Sequence, residues 1–153
     1  MSLAVVCDCM VYFQALASDG PPYALFERVE SGSVELITSP VILAEVRRVL
    51  ARPKIRNKNR SITDDRVDAF LNKMAAMATV VTDVLPLVKL PRDPSDEPYL
   101  NLALTVGVPY LVSRDPDLLD LMADVAFRSA NPTLTILDPV AFLRLPEVTS
   151  LAA

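Results

Sequence analysis

Four acidic side chains in this sequence stand where an α/β fold would bring them to one edge of its sheet. Asp8 and Asp115 come just after short apolar runs that are typical of buried parallel strands. Glu45 and Asp96 lie on predicted helices that lead to the same edge. Carboxylate oxygens are the ligands that Mg²⁺ and Mn²⁺ prefer. The four acids therefore predict a divalent-cation site that activates water for attack on a phosphodiester.

Each of these acids also has a purely structural interpretation. Asp115 and Asp96 both precede helices that begin with proline or apolar residues, so either of them can be a helix N-cap. Glu45 can be a surface residue paired with Arg48 one turn later. Asp8 follows an apolar run and risks burial, where a carboxylate needs a hydrogen-bonding partner or a cation. Capping and metal binding do not exclude each other.

The absence of histidine narrows the possible chemistry. It excludes Ser-His-Asp and Cys-His nucleophilic schemes and histidine general bases, and it argues against zinc. The two cysteines, Cys7 and Cys9, lack the CxxC spacing of redox and zinc sites. Any catalysis must therefore depend on other groups, with the carboxylates as the best candidates.

Basic residues are concentrated in one segment of an acidic chain. The formal net charge is −4, yet seven basic residues and no acidic one lie between Arg47 and Arg60. These residues are Arg47, Arg48, Arg52, Lys54, Arg56, Lys58 and Arg60. Such a segment can hold the backbone of a nucleic acid beside an acidic site. There are two alternatives: the segment is a solvated charged loop, or it binds an acidic partner such as an antitoxin.

The order of predicted elements alternates between strands and helices. Strands are expected at 3–7, 34–38, 80–82, 110–113 and 134–137, and helices at 11–17, 23–30, 41–51, 63–78, 96–106 and 115–122, with a C-terminal helical turn. Residues 52–60 are expected to form a loop or a frayed helix end. This alternation predicts a three-layer α/β/α fold with a mostly parallel, Rossmann-like sheet, in one domain spanning residues 1–153.

The apolar segments favour a cytoplasmic protein. The N-terminus has no basic leader and reaches an aspartate after a few apolar residues, unlike a signal peptide. The longest apolar stretches, such as 102–112, are much shorter than the roughly 20 residues that a membrane-spanning helix needs. No association with a membrane is expected.

Four sequence blocks together resemble PIN-domain proteins, and they occur in that family's order. They are VVCDCMV at 5–11, SPVILAEVRRVL at 39–50 followed by RPK at 52–54, RDPSDEPYLNLA at 92–103, and YLVSRDPDLL at 110–119. The resemblance extends from about Val5 to Leu143. It is closest to VapC-type ribonucleases, the toxin components of type II toxin-antitoxin pairs.

The resemblance implies a metal-dependent nuclease that uses Mg²⁺ or Mn²⁺. It assigns the family's catalytic and metal-binding acids to Asp8, Glu45, Asp96 and Asp115. Asp117 is placed as an additional outer ligand, and Ser113 as a hydrogen-bond donor to a ligand carboxylate. The sequence departs from the family at Met10, where the family usually has asparagine. A thioether cannot donate the amide hydrogen bond, which weakens the expectation of activity more than that of the fold.

The leading hypothesis is therefore an RNA endonuclease, silenced in the cell by a cognate antitoxin protein. The family also implies a homodimer, for which the apolar residues Val11, Tyr12 and Phe13 are surface candidates. The alternative is a non-catalytic PIN-like module that binds RNA or a protein. A phosphoacceptor receiver domain ranks third, because that class needs an acidic pair near the first strand and only Asp8 is present there.

Overall fold

A computed structural model describes residues 3–151, with side chains through residue 149. A sheet of five parallel strands is flanked by helices, which confirms the predicted three-layer α/β/α fold. The strands are β1 (Leu3–Cys7), β2 (Val34–Thr38), β3 (Thr79–Val80), β4 (Tyr110–Val112) and β5 (Thr135–Leu137). Their order across the sheet is β3-β2-β1-β4-β5, and every pairing among these described strands is parallel.

The helices follow the predicted alternation, with two differences. They are α1 (Cys9–Ala17), α2 (Pro21–Glu30), α3 (Pro40–Leu50), α4 (Pro53–Lys58), α5 (Asp64–Met77), α6 (Glu97–Val106), α7 (Pro116–Leu119), α8 (Val125–Ala130), α9 (Pro139–Leu143) and α10 (Pro146–Leu151). The basic stretch expected to be a loop or frayed helix end forms the separate helix α4. Helix α8 was not predicted. Neither α4 nor α8 contains a buried residue.

The order of the strands creates a crevice between β1 and β4. Strand β1 pairs with β2 on one side and with β4 on the other, so the chain reverses its direction of winding at this point. Cys7 lies opposite Val112, and the backbone N–H of Asp8 donates to the carbonyl of Val112 at 3.1 Å. The carboxyl ends of these two strands therefore lie side by side. In open α/β sheets, ligands bind in the crevice at such a switch point.

The hydrophobic core lies on both faces of the sheet and includes helix α1. Val11 and Tyr12 are completely buried, while Phe13 is half-buried. The ring of Tyr12 packs against Phe26 and Phe70, with ring centroids 5.2 and 6.4 Å away. The expectation that Val11 and Tyr12 are surface residues was therefore wrong. Helix α1 has α2 and α3 packed against it, so its apolar side chains face neighbouring elements instead of solvent.

An extended segment, 81–90, follows β3 at the edge of the sheet and is held against helix α6. After Val81, whose backbone N–H donates to the carbonyl of Thr38 at 2.9 Å, three backbone amides of the segment donate to side chains of the helix. Leu85 donates to Thr105 at 3.0 Å, Val88 to Asn101 at 2.8 Å and Leu90 to Glu97 at 2.7 Å. The three acceptors are four residues apart, so they lie along one face of the helix. We call this arrangement the α6 strap.

Among residues 3–151, none of the helices is both long enough and apolar enough to cross a membrane.

Candidate active site

A pocket of about 470 Å³ opens beside the carboxyl ends of β1 and β4. All four acids singled out in the sequence line it: Asp8, Glu45, Asp96 and Asp115. Two come from strand ends and two from helices. The crevice predicted from the alternating pattern therefore contains the acidic residues expected there.

Asp8 combines a structural and a functional position. It is the N-cap of α1, where its Oδ1 accepts from the backbone N–H of Val11 at 3.1 Å. Its Oδ2 accepts a hydrogen bond from the hydroxyl of Ser113, as the sequence predicted for that serine. Burial raises the pKa of Asp8 to about 6, against the lowering effect of the hydrogen bonds from Ser113 and Val11. Nearby Asp115 raises it further.

Asp115 is also an N-cap whose side chain caps its helix, whereas Asp96 stands at the N-cap position of α6 without a side-chain hydrogen bond to it. The Oδ1 of Asp115 accepts from the backbone N–H of Asp117 at 2.9 Å, as a helix cap does. The structural alternative for Asp96 therefore holds for its position at the start of α6 but not for its carboxylate. The preceding 3-10 turn is capped by Asp93, which accepts from the backbone N–H of Ser95 at 3.1 Å. The carboxylate of Asp96 is thus available for another role.

Four carboxylates come close enough together to share a cation. Asp93, Asp96, Asp115 and Asp117 each offer an oxygen, and these four oxygens lie within 4.8 Å of one another. We call this set the aspartate cluster. It contains two of the four acids assigned from sequence, together with Asp117, the expected outer ligand. Asp8 and Glu45 line the same pocket outside the cluster.

Asp93 was missed by the sequence reasoning, although a signal for it exists. Residues Pro94–Asp96 form a 3-10 turn. A 3-10 helix has three residues per turn, so side chains at positions i and i+3 lie above one another. Recognition of a 3-10 turn in the DPSD sequence would have placed Asp93 and Asp96 on the same side.

The electrostatics of the aspartate cluster favour a bound cation. Asp96 is only 6% exposed, and its Oδ2 has no hydrogen-bond partner among the described residues. Burial raises the pKa of Asp96 to about 8, with further contributions from Asp115, Asp93 and Asp8. A buried carboxylate beside other carboxylates is unfavourable unless a positive charge or a proton compensates it. These oxygen donors fit a hard divalent cation.

Glu45 reaches the pocket from helix α3, opposite the strand ends. Its Oε1 accepts a hydrogen bond from the hydroxyl of Tyr99 at 2.7 Å, and its Oε2 lies 3.5 Å from Nη2 of Arg48. The pairing with Arg48 that the structural alternative predicted is therefore present. The side chain of Glu45 is nevertheless only 16% exposed. It lines the pocket as well as forming the ion pair.

An arginine lies on the outer side of the aspartate cluster. Nε of Arg92 is 2.5 Å from Oδ1 of Asp117, and its Nη2 is 3.3 Å from Oδ2 of Asp120. This guanidinium compensates part of the charge of Asp117. Asp93, Asp96 and Asp115 have no ion pair with a basic side chain among the described residues, so the negative charge of these three acids is not compensated in this way.

The mouth of the pocket carries positive charge. Arg48, Arg52 and Arg114 line it together with the acids. The guanidinium of Arg114 donates to Oε1 of Gln14 at 3.0 Å, and Arg52 has no ion pair among the described side chains. We call these three residues the arginine rim. It places cationic groups next to the carboxylates, where a polyanion would otherwise be repelled.

Part of the basic segment has a structural role instead. Arg47 pairs with Asp68 at 2.6 Å, and Arg56 pairs with Asp64 at 2.9 Å. Both acids belong to α5, so these pairs connect α3 and α4 to that helix. The segment is thus divided between contacts within the fold and the two residues that reach the pocket, Arg48 and Arg52.

A family profile described as the PIN domain matches residues 4–117. The match covers well over half of the chain and includes every acid of the pocket. Among curated proteins, none matches the chain. PIN domains are generally metal-dependent nucleases, and the aspartate cluster fits that chemistry. With the parallel α/β/α fold and the carboxylates at its switch point, the matched profile shows that the chain belongs to the PIN domain family.

Proposed function

We propose that this protein is an endoribonuclease that hydrolyses RNA phosphodiester bonds with the help of Mg²⁺ or Mn²⁺. The observation that carries the proposal is the buried carboxylate of Asp96, which lies among three other aspartates and has an oxygen without a partner. A carboxylate in this position needs a cation, and the adjoining pocket is open to a substrate. All four acids assigned from sequence line that pocket.

The residues of the pocket have distinct tasks in this reaction. Asp96 and Asp115 would hold the cation directly, with Asp8 and Glu45 contributing from the same pocket. The cation would lower the pKa of a water and neutralise charge on the phosphate. Ser113 keeps Asp8 in place through its hydroxyl, and the same oxygen accepts from the backbone N–H of Asp115 at 2.9 Å. One serine therefore fixes the relative position of two acids.

The arginine rim supports a polyanionic substrate. Guanidinium groups form paired hydrogen bonds with phosphate oxygens, which holds a backbone in a defined orientation. Arg52 has the most freedom to do so because, among the described residues, its side chain has neither an ion pair nor a hydrogen bond, whereas Arg48 is paired with Glu45 and Arg114 is bonded to Gln14. The remaining basic residues of α4, Lys54 and Lys58, extend the positive charge away from the pocket. Flanking nucleotides would lie along this side.

We further propose that the protein acts in the cytoplasm as the toxin of a toxin-antitoxin pair, with an antitoxin protein as its partner. The support is the resemblance to VapC-type ribonucleases across all four sequence blocks. A homodimer is part of the same proposal. The exposed apolar side chains Val41, Leu85 and Leu87 support it in place of Val11 and Tyr12. Light scattering at micromolar concentration tests it, and a monomer would contradict it.

A non-catalytic module that binds RNA or protein is the second candidate. Met10 favours it, because this side chain lines the pocket at the position where the family usually has an amide. The net charge of −4 also disfavours a general affinity for nucleic acid. This candidate predicts RNA or partner binding without cleavage.

RNA cleavage by the purified protein distinguishes the two candidates. Structured and unstructured RNAs are incubated with Mn²⁺, with Mg²⁺ and with a chelator. Asp96→Asn should abolish cleavage, whereas the matched control Asp83→Asn changes an exposed aspartate outside the pocket and should cleave as the parent does. Cleavage by Asp96→Asn at the parent's rate would show that the site is wrong. Binding without cleavage under every condition would favour the module.

A further inference from the structure

Tyr99 places a phenol hydroxyl inside the pocket although its ring belongs to the core. The residue lies on α6 and is only 1% exposed. Its hydroxyl crosses to α3 and donates to Oε1 of Glu45 at 2.7 Å. The nuclease chemistry proposed above assigns no task to this hydroxyl. A buried tyrosine needs a partner for its O–H, but many carbonyls and hydroxyls would serve that need. Here the partner is one of the four acids of the pocket.

The two oxygens of Glu45 have partners of different character. Oε1 faces the hydroxyl of Tyr99, whose ring is fixed by packing in the core. Oε2 faces Arg48 at 3.5 Å, and the side chain of Arg48 is 67% exposed. The contact with Tyr99 is short and rigid, whereas the contact with Arg48 is long and made by a flexible side chain. Of these two contacts, the first restricts the orientation of the carboxylate more, and the thiol of Cys9 lies beside both Glu45 and Tyr99.

The neutral character of the phenol is also important. A glutamate oriented by a close arginine would lose much of the negative charge with which it attracts a cation. A phenol hydroxyl fixes the same oxygen and leaves the charge on the carboxylate. A phenol hydroxyl is protonated near neutral pH, so it can donate this hydrogen bond.

Asp8 has an equivalent arrangement on the other side of the pocket. Its Oδ2 accepts from the hydroxyl of Ser113, which is completely buried. Both acids outside the aspartate cluster are therefore held by a neutral hydroxyl from a different element of the fold. The side chain of Glu45 has three rotatable bonds, one more than that of Asp8. It therefore loses more conformational freedom when a hydrogen bond fixes it.

We propose that Tyr99 is a positioning residue that fixes Oε1 of Glu45 and so holds this carboxylate in the orientation in which it would contribute to cation binding, an inference that rests on the proposed function. Hydrogen bonds to the ligands of a metal commonly change its affinity by about 10-fold to 100-fold. The effect of the Tyr99 hydroxyl on the affinity for the metal should be near the lower figure, because the aspartate cluster supplies other ligands.

Tyr99→Phe is the direct test because it removes one oxygen and keeps the ring in the core. We expect Mn²⁺ to bind about 10-fold more weakly in calorimetry, with kcat for RNA reduced and KM unchanged. The matched control is Tyr110→Phe. Tyr110 also donates its hydroxyl to a glutamate, Glu147, at 2.9 Å, but it lies outside the pocket. This control should bind Mn²⁺ as the parent does.

A double mutant separates positioning from a general effect on the fold. Glu45→Gln is combined with Tyr99→Phe, and Mn²⁺ affinity is measured for the parent, both single variants and the double variant. If Tyr99 acts through Glu45, the loss caused by Tyr99→Phe should disappear in the Glu45→Gln background. A loss of the same size in both backgrounds would overturn the proposal, as would parental Mn²⁺ affinity in Tyr99→Phe.

Failure of this inference and failure of the nuclease proposal give different results. RNA cleavage by the parent, with equal Mn²⁺ affinity in parent and Tyr99→Phe, would refute the role of Tyr99 and leave the nuclease. Mn²⁺ binding without cleavage would refute the nuclease, while the comparison of affinities would still decide the role of Tyr99. A parent that binds no Mn²⁺ would overturn both.

Discussion

Replacement of Asp96 by asparagine should stabilise the metal-free protein while it abolishes the proposed activity. The pKa of Asp96 is raised from 3.8 to about 8, first because of burial and then because of the carboxylates around it. Between about pH 4 and pH 8, Asp96 therefore keeps its proton in the folded state and loses it in the unfolded state. The stability that this proton contributes is fully present below about pH 4 and is lost as the pH rises through 8. Asparagine is neutral at every pH and escapes that loss.

The size of this stabilisation follows from the raised pKa of Asp96. Four pKa units correspond to roughly 6 kcal/mol when each unit contributes about 1.4 kcal/mol. The pocket opens to solvent, so water and side-chain movement will compensate more than half of this. We expect Asp96→Asn to exceed the parent's free energy of unfolding by about 2 kcal/mol at pH 8. The difference should approach zero near pH 4, where both side chains are neutral.

Urea unfolding in the presence of a chelator, followed by circular dichroism from pH 4 to 8.5, measures this difference. The exposed residue Asp83 provides the control, because Asp83→Asn should follow the parent across the range. Adding Mn²⁺ at about 100 times its Kd should stabilise the parent by about 2.7 kcal/mol and the variant much less. The order of stability would then reverse. Equal pH dependence in parent and Asp96→Asn would refute the view that Asp96 is unfavourable without a cation.

Three further predictions concern residues with separate roles. Ser113→Ala removes the hydroxyl that holds Asp8, so Mn²⁺ affinity in calorimetry should fall about 10-fold; unchanged affinity would contradict this role. Arg52→Gln should raise KM for RNA about 5-fold and reduce its salt dependence with kcat unchanged, whereas Arg47→Gln, which changes a residue outside the pocket, should alter neither; equal effects would refute the arginine rim. Gly107→Ala places a side chain at φ +80° and should lower the free energy of unfolding by about 1 kcal/mol in urea; parental stability would show that the helix end adapts.

The sheet and the site at its edge could be predicted because both depend on short-range patterns. Buried parallel strands are continuous apolar runs, and the residue after such a run must lie at the edge of the sheet. Asp8 and Asp115 were placed correctly for this reason. The strand order then determines which strand ends are neighbours. Because β1 lies next to β4, these two acids line one pocket.

Three features of the structure were not predicted, each for a different reason. Helices α4 and α8 bury no residue, so they leave no apolar periodicity in the sequence. Helix α1 is apolar around most of its circumference, which indicates burial on several sides and not an exposed face. The contact between Tyr99 and Glu45 joins residues 54 positions apart. It depends on how two helices pack, which no local spacing shows.

The α6 strap has a consequence for which substitutions segment 81–90 can accept. The helix holds this segment through backbone amides, so most side chains there can change without loss of the hydrogen bonds. Proline is the exception, because it has no N–H to donate. The natural prolines at 86 and 91 avoid the three donor positions, 85, 88 and 90. Homologous sequences should therefore exclude proline from those three positions, while the side chains of the segment are restricted only where they pack on the core, as Val84 and Val88 do.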